Sequence, residues 1–206
     1  LCHGLITPSD GTLTWQGPAN ANAGYYQAMV FQRPVMLRRS VTANLHFGLR
    51  SRGISRAKRD QITDEMLQIT GLARLAKSPA RSLSIGEQQR LALARAWSLK
   101  PEVLFLDEPT ANLDPAATHS LEEIINTIKT TGTKIVMSTH DLGQAKRLAD
   151  DVLFLYRGRL LENSPADKFF DEPQNDLAQA FLKGELLWWH RQKLKPPSEL
   201  KHRGIK

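Results

Sequence analysis

Two acids stand together after a short apolar run: Val103, Leu104, Phe105 and Leu106 precede Asp107 and Glu108. A run of four apolar residues reads as a strand buried on both faces of a parallel sheet. Open α/β sheets take their ligands just outside the carboxyl ends of such strands. Adjacent carboxylates there are costly unless a cation or a reacting group uses them. The chemistry they offer is Mg²⁺ binding by Asp107 and activation of a water molecule by Glu108. The plainer alternative is a pair of solvated loop acids ahead of Pro109.

A second stretch offers different chemistry. Ser84-Ile85-Gly86-Glu87 precedes a strongly helical run, Gln88–Trp97. Ser84 suits a helix N-cap, and Glu87 stands three residues on, where a capping box puts its reciprocal partner. A helix start fronted by serine and glycine presents free N–H groups and the positive end of the helix dipole to an anion. The alternative is a well-capped helix with no ligand. Two further polar residues close strand-like runs. Gln32 ends Tyr25–Phe31, and His140 ends the apparently buried strand Lys134–Thr139.

In order and spacing, Leu83–Ala96 (LSIGEQQRLALARA), Val103–Asp114 (VLFLDEPTANLD) and Ser138–Asp141 (STHD) resemble the ATP-binding cassette (ABC) ATPases over nearly the whole chain. The resemblance implies an α/β fold of the P-loop NTPase (RecA-like) type: a mostly parallel sheet, N-terminally incomplete, with an inserted α-helical subdomain. It implies a signature loop at Leu83–Glu87, with Ser84, Gly86 and Glu87 toward nucleotide. It implies a Walker B strand at Val103–Asp107, Glu108 as general base, a D-loop at Ala111–Asp114, and His140 as the switch histidine at the γ-phosphate. Gln32 resembles the Q-loop glutamine, and with Asp107 it is assigned to the metal. ATP and Mg²⁺ are the cofactors so implied, with Asp114 among the nucleotide-binding residues. The signature departs from the family pattern twice, with Ile85 for glycine and Glu87 for glutamine. A β-branched residue does not reach positive φ cheaply, so Ile85 is expected to weaken any backbone approach to phosphate.

Composition bounds the rest. The 206 residues are 41% hydrophobic and carry a net charge of +7, with one cysteine, Cys2. This is one domain with room for a core. A disulfide framework is excluded, as is a cysteine metal cluster. No apolar run reaches the roughly 18–20 residues of a membrane span, and no signal peptide is visible. Positive charge concentrates between Arg33 and Arg59, which contain no Asp or Glu, and again in the tail from Lys183. No nucleic-acid-binding signature accompanies it, so it reads as solvated or membrane-facing charge.

Along the chain, Leu1–Leu5 reads as the last turn of a helix and Gly11–Gly17 as a strand. The pattern G-x-x-x-x-G-K-[ST] is absent from the sequence. The expectation is a cassette lacking its first two strands and its phosphate-binding loop, with weak nucleotide binding of its own. Residues 1–33 are assigned to a partial ATPase core, 34–95 to the helical subdomain with the signature loop, 96–162 to the rest of the core, and 163–206 to C-terminal helices and a basic tail. Thr63–Leu75 is amphipathic, with a break near Gly71. Met36, Leu37 and Phe47 read equally as core or as a docking groove for a membrane subunit. Asp114 and Pro115 start a helix carrying Leu121, Ile124, Ile125 and Ile128. Asp141 caps Leu142–Ala149, and Val152–Leu161 forms a hairpin about Arg157-Gly158. A cap at Ser164–Asp167 opens a short helix, and Gly184 closes the one after it. Trp188-Trp189 is expected to fold back on the core, and Lys193–Lys206 to be disordered.

The RGRLLE, PADKFFDEP and AFLKGELLW segments are similar to bacterial importer subunits, among them those for oxyanions such as tungstate, molybdate and phosphate. The implied partners are a second copy of the subunit, transmembrane permease subunits and, indirectly, a solute-binding protein. No nucleic acid is expected. The implied location is peripheral, on the cytoplasmic face of the inner membrane. The alternative is a catalytically incomplete or regulatory subunit, or a non-transport ATPase of DNA repair or translation.

Overall fold

Val103–Asp107 forms a strand, β2, with a parallel partner on each side. On one side lies β1, Gln27–Val30, with Gln27 opposite Val103 and Val30 opposite Leu106. On the other lies β3, Lys134–Ser138, in a register that sets Asp107 opposite Ser138. The order is β1-β2-β3. The central position explains the unbroken apolar run, because Leu104, Phe105 and Leu106 are all buried. A computed structural model supplies this architecture and describes residues 2–15 and 23–185. Chain contacts divide it into two compact units, residues 1–140 and 141–206.

β3 departs from expectation. Lys134–Thr139 reads as a buried strand, yet β3 alternates between exposed and half-buried residues, and Val136 is 41% exposed. Side chains alternate between the two faces of a strand. The residues on one face of β3, Lys134, Val136 and Ser138, are exposed, and those on the other are half-buried.

Helices cover the rest of the first unit. In α1, Val41–Ser51, the N-cap Ser40 accepts a hydrogen bond from the Ala43 amide. Gly53, at φ +71°, follows and admits a reversal that a Cβ would resist. α2 spans Arg56–Ile69; Gly71, at φ +67°, marks the break read from the sequence, and a short 3-10 turn at Ala73–Leu75 follows. α3, Ile85–Trp97, packs on α1, β1 and α4. α4, Pro115–Thr130, starts at Asp114 and buries Leu121, Ile124, Ile125 and Ile128 as their helical spacing requires.

The N-terminal expectations are corrected. Residues 2–6 form a turn and bends, not a helical turn, and residues 11–15 form no strand. So short a segment cannot nucleate a helix by itself, and Gly4 and Gly11 both sit at positive φ. Leu1, Gln16 and Gly17 lie outside the described residues.

In the second unit, Asp141 caps α5, Leu142–Leu148, by accepting from the Gln144 amide. β4, Asp151–Tyr156, and β5, Arg159–Pro165, form an antiparallel hairpin. Its turn places Arg157 and Gly158 both at positive φ, as a tight two-residue connection requires. Phe154 packs with Phe169, Leu177 and Ala178 from α6, Ala166–Asp171, and α7, Asp176–Leu182. Ser164 does not cap α6. Its hydroxyl donates to Glu162, and Pro165 takes the N-cap position with no side-chain bond. Gly184, at φ +74°, closes α7 as read from the sequence. Trp188-Trp189 and Lys193–Lys206 lie outside the described residues.

Leu104 is completely buried at the centre of the sheet. Leu104→Ala should therefore cost about 3 kcal/mol of unfolding free energy, read as a lower urea midpoint at unchanged slope.

Candidate functional site

Parallel strands end on one side of their sheet, and the residues just past the three ends meet there. Gln32 lies two residues beyond β1, Glu108 follows β2, and His140 lies two residues beyond β3. The Glu108 carboxylate is held at both oxygens. Gln32 Nε2 donates to Oε2 at 3.3 Å, and His140 Nδ1 lies 3.1 Å from Oε1. With His140 protonated this is an ion pair; with the neutral ring protonated at Nδ1 it is a hydrogen bond. The His140 side chain is 76% exposed and that of Glu108 32%, so these contacts orient groups and add little to stability.

Glu108 itself sits at φ +42°. A non-glycine residue there costs on the order of 1 kcal/mol. Its N–H donates to the Ser138 carbonyl at 3.0 Å and to Ser138 Oγ at 3.2 Å. The Ser138 hydroxyl in turn donates to Asp107 Oδ1 at 2.6 Å. Gln32, Asp107, Glu108 and His140 thus come together as the sequence indicates, and Ser138, which sequence reasoning passed over, joins them. No sequence signal singles out Ser138, because its role depends on the register that faces it to Asp107.

The donor set fits a cation of one kind. Among the described residues no three or more His, Cys, Asp or Glu side chains cluster as metal ligands. Mg²⁺, however, is commonly held through one or two carboxylates together with substrate phosphates and water. Asp107, with one oxygen engaged by Ser138, suits that arrangement, and the Gln32 carboxamide oxygen is a hard donor of the right type.

Ser84, Gly86, Glu87 and Asp114 form a separate group. They line an open groove of about 590 Å³ with Arg90 and Asn112, where the N-termini of α3 and α4 converge. The capping box is complete. Ser84 Oγ accepts from the Glu87 amide, and the Glu87 carboxylate accepts from both the Ser84 amide and the Ser84 hydroxyl, each at 2.8 Å. The Ser84 backbone bond, then the hydroxyl bond, and then the charge of Arg90 hold the Glu87 carboxyl below its ordinary pKa. Asp114 accepts from the Ala117 amide and caps α4. Gly86 carries a second task that the sequence did not disclose. A Cβ there would lie 3.0 Å from the Ala117 Cβ, so glycine permits the close crossing of α3 and α4. Ile85, at the first turn of α3, is 58% exposed over the same groove.

Three side chains near or within α3 hold the backbone after β1. Gln89 Nε2 donates to the Gln32 carbonyl at 2.7 Å, Arg95 Nη2 to the Val35 carbonyl at 3.0 Å, and Arg81 Nε to the Met36 carbonyl at 3.2 Å. Sequence reasoning assigned none of the three a task. Met36 is core, at 4% exposure, whereas Phe47 and Val35 are exposed.

A parallel sheet with carboxylates, an amide and an imidazole at its carboxyl ends defines an α/β class of protein whose ligands lie outside the strand ends. Comparison with known proteins narrows it. Residues 1–111 match the family described as ABC transporter. A phosphate import ATP-binding protein PstB of Thermotoga maritima is 42% identical over 164 residues, covering 77% of this chain and 64% of the relative. PstB of Mycoplasmoides gallisepticum is 40% identical, covering 77% of this chain and 50% of the relative. PstB 1 of Yersinia pestis is 39% identical, covering 89% and 70%. Among solved structures, cbiO1 from Clostridium perfringens, part of the ABC transporter complex cbiONQ, superposes with a TM-score of 0.73. It is 26% identical, with 88% of this chain and 76% of that one covered. The chain belongs to the ABC transporter family. It spans between 50% and 70% of the length of these three curated relatives.

Two outcomes are expected of this geometry. Gly86→Ala should destabilise by about 1–3 kcal/mol through overpacking, and Ala117→Gly should relieve part of that loss. A double-mutant cycle on urea midpoints reads the coupling, and simple additivity would exclude the contact. The lowered pKa of Glu87 stabilises the fold above the ordinary carboxylate pKa, and that stability is lost as pH falls through the folded-state value. Wild type should therefore exceed Glu87→Gln in stability near neutrality, the difference shrinking in acid, as thermal melts between pH 7 and pH 3 would show.

Proposed function

We propose that this chain is the ATP-binding and ATP-hydrolysing part of an import transporter. The observation that carries the reading is the Glu108 carboxylate, held between Gln32 and His140 and adjoining Asp107 at the ends of three parallel strands. Glu108 is the general base that takes a proton from the attacking water. Gln32 and His140 orient its two oxygens, and His140 also contacts the γ-phosphate. Asp107 and Gln32 would hold Mg²⁺, which would neutralise phosphate charge there.

The groove at Ser84 and Gly86 faces nucleotide held by a second copy of the subunit, and Asp114 borders the same seam. This assigns a dimer with composite sites. The negative charge of Glu87, already satisfied by Ser84, lies beside Arg90 in the groove. Arg90 supplies the positive charge that a phosphate needs there. The helical residues 34–95 carry the signature loop and present Val35 and Phe47 to permease subunits, through which a solute-binding protein acts indirectly. The subunit is placed peripherally on the cytoplasmic membrane face; no described helix is long and apolar enough to cross a membrane. The transported solute is proposed to be a phosphate-type oxyanion, supported by the phosphate import relatives.

The test is equilibrium binding of ATP-Mg²⁺ to this chain, beside a form extended upstream at its native locus. Binding by either supports the reading, and binding by neither overturns it. In the form that binds, Glu108→Gln should lower hydrolysis by at least about 100-fold while ATP binding persists. Retained hydrolysis in that variant would remove Glu108 from the role of base.

A further inference from the structure

Ser138 joins the two adjacent acids in a way neither motif shows. Its hydroxyl donates to Asp107 Oδ1 at 2.6 Å and accepts from the Glu108 amide at 3.2 Å, while its own carbonyl accepts from the same amide at 3.0 Å. A hydroxyl has one proton to give and lone pairs to receive with, and Ser138 uses both. We infer that Ser138 is a positioning residue that directs Asp107 and Glu108 to different tasks. It engages one oxygen of Asp107, so the other is turned outward for a divalent cation. It anchors the Glu108 amide at positive φ, so the Glu108 side chain leaves the strand's alternation and reaches Gln32 and His140.

Adjacent residues on an extended strand point to opposite faces. Two neighbouring carboxylates can serve one site only if the second leaves the strand geometry. The bend at Glu108 accomplishes this, and the bonds to Ser138 hold the bend from the neighbouring strand. Hydrogen bonds behind a ligating group commonly set its affinity for metal. Ser138 is exposed at the end of β3, so removing its hydroxyl leaves the core intact. The cation part of this inference rests on the functional reading above; the orientation of Asp107 does not.

The test compares wild type, Ser138→Ala and Ser138→Thr in the whole chain. Rotamer populations at Asp107, read from three-bond couplings, should show one rotamer in wild type and in the threonine variant, and averaging in the alanine variant. Averaging in wild type, or a single rotamer kept in Ser138→Ala, overturns the proposal. A second measurement titrates Mn²⁺ with ATP present and reads free Mn²⁺ by electron paramagnetic resonance. Ser138→Ala should weaken Mn²⁺ uptake by about tenfold and Ser138→Thr should restore it. Equal affinity in wild type and Ser138→Ala overturns the positioning role while the functional reading stands. Uptake of no Mn²⁺ by wild type, with or without ATP, overturns the cation assignment itself, and the rotamer measurement then decides the orientation of Asp107 on its own.

Discussion

The parallel register of β2 against its two neighbours sets Asp107 opposite Ser138 and brings the ends of β1 and β3 beside it. Parallel ladders require every strand to run the same way, so all three chains leave the sheet at one edge. Residues drawn from positions 32, 107, 108, 138 and 140 then meet within hydrogen-bond distance. A slip of one residue between β2 and β3 would carry Asp107 away from Ser138. Of the groups at the strand ends, Gln32, Ser138 and His140 are exposed and Asp107 and Glu108 half-buried. Their geometry is inherited from the apolar ladder behind them.

A second constraint acts at the groove. α3 and α4 cross closely because Gly86 has no Cβ to meet Ala117. Each helix caps itself, through Ser84 with Glu87 and through Asp114. Residues of both first turns line a groove that also contains Arg90 and Asn112. Through Gln89, the same helix holds the backbone from which Gln32 reaches Glu108. Groove and strand-end cluster are therefore fastened to one rigid element within the first unit.

Much of this was legible in the residue order. Local signals that depend on a few neighbouring residues came through: the capping box at Ser84 and Glu87, the Asp114-Pro115 helix start, the Arg157-Gly158 turn and the β2 strand ahead of Asp107. The family resemblance placed Gln32, Asp107, Glu108 and His140 in one site, and the strand ends bring them together. Signals that depend on what lies across the fold did not come through. One face of β3 is exposed, which depends on what packs against the strand and which an apolar run cannot report. Residues 2–6 and 11–15 form neither helix nor strand, and Gly4 and Gly11 within them sit at positive φ.

Ser138, Gln89 and Gly86 show where the division falls. By itself, the sequence determined the starts of α3 and α4, the Arg157-Gly158 turn and the strand that carries Asp107 and Glu108 to its end, because these depend on propensity, capping and hydrophobic period over a few residues. The tertiary structure alone decided that a serine would divide the work of two acids, that a glutamine would hold a carbonyl 57 residues away, and that a glycine would let two helices touch. Each of these is a contact between segments distant in sequence, set by strand register and helix packing rather than by local pattern.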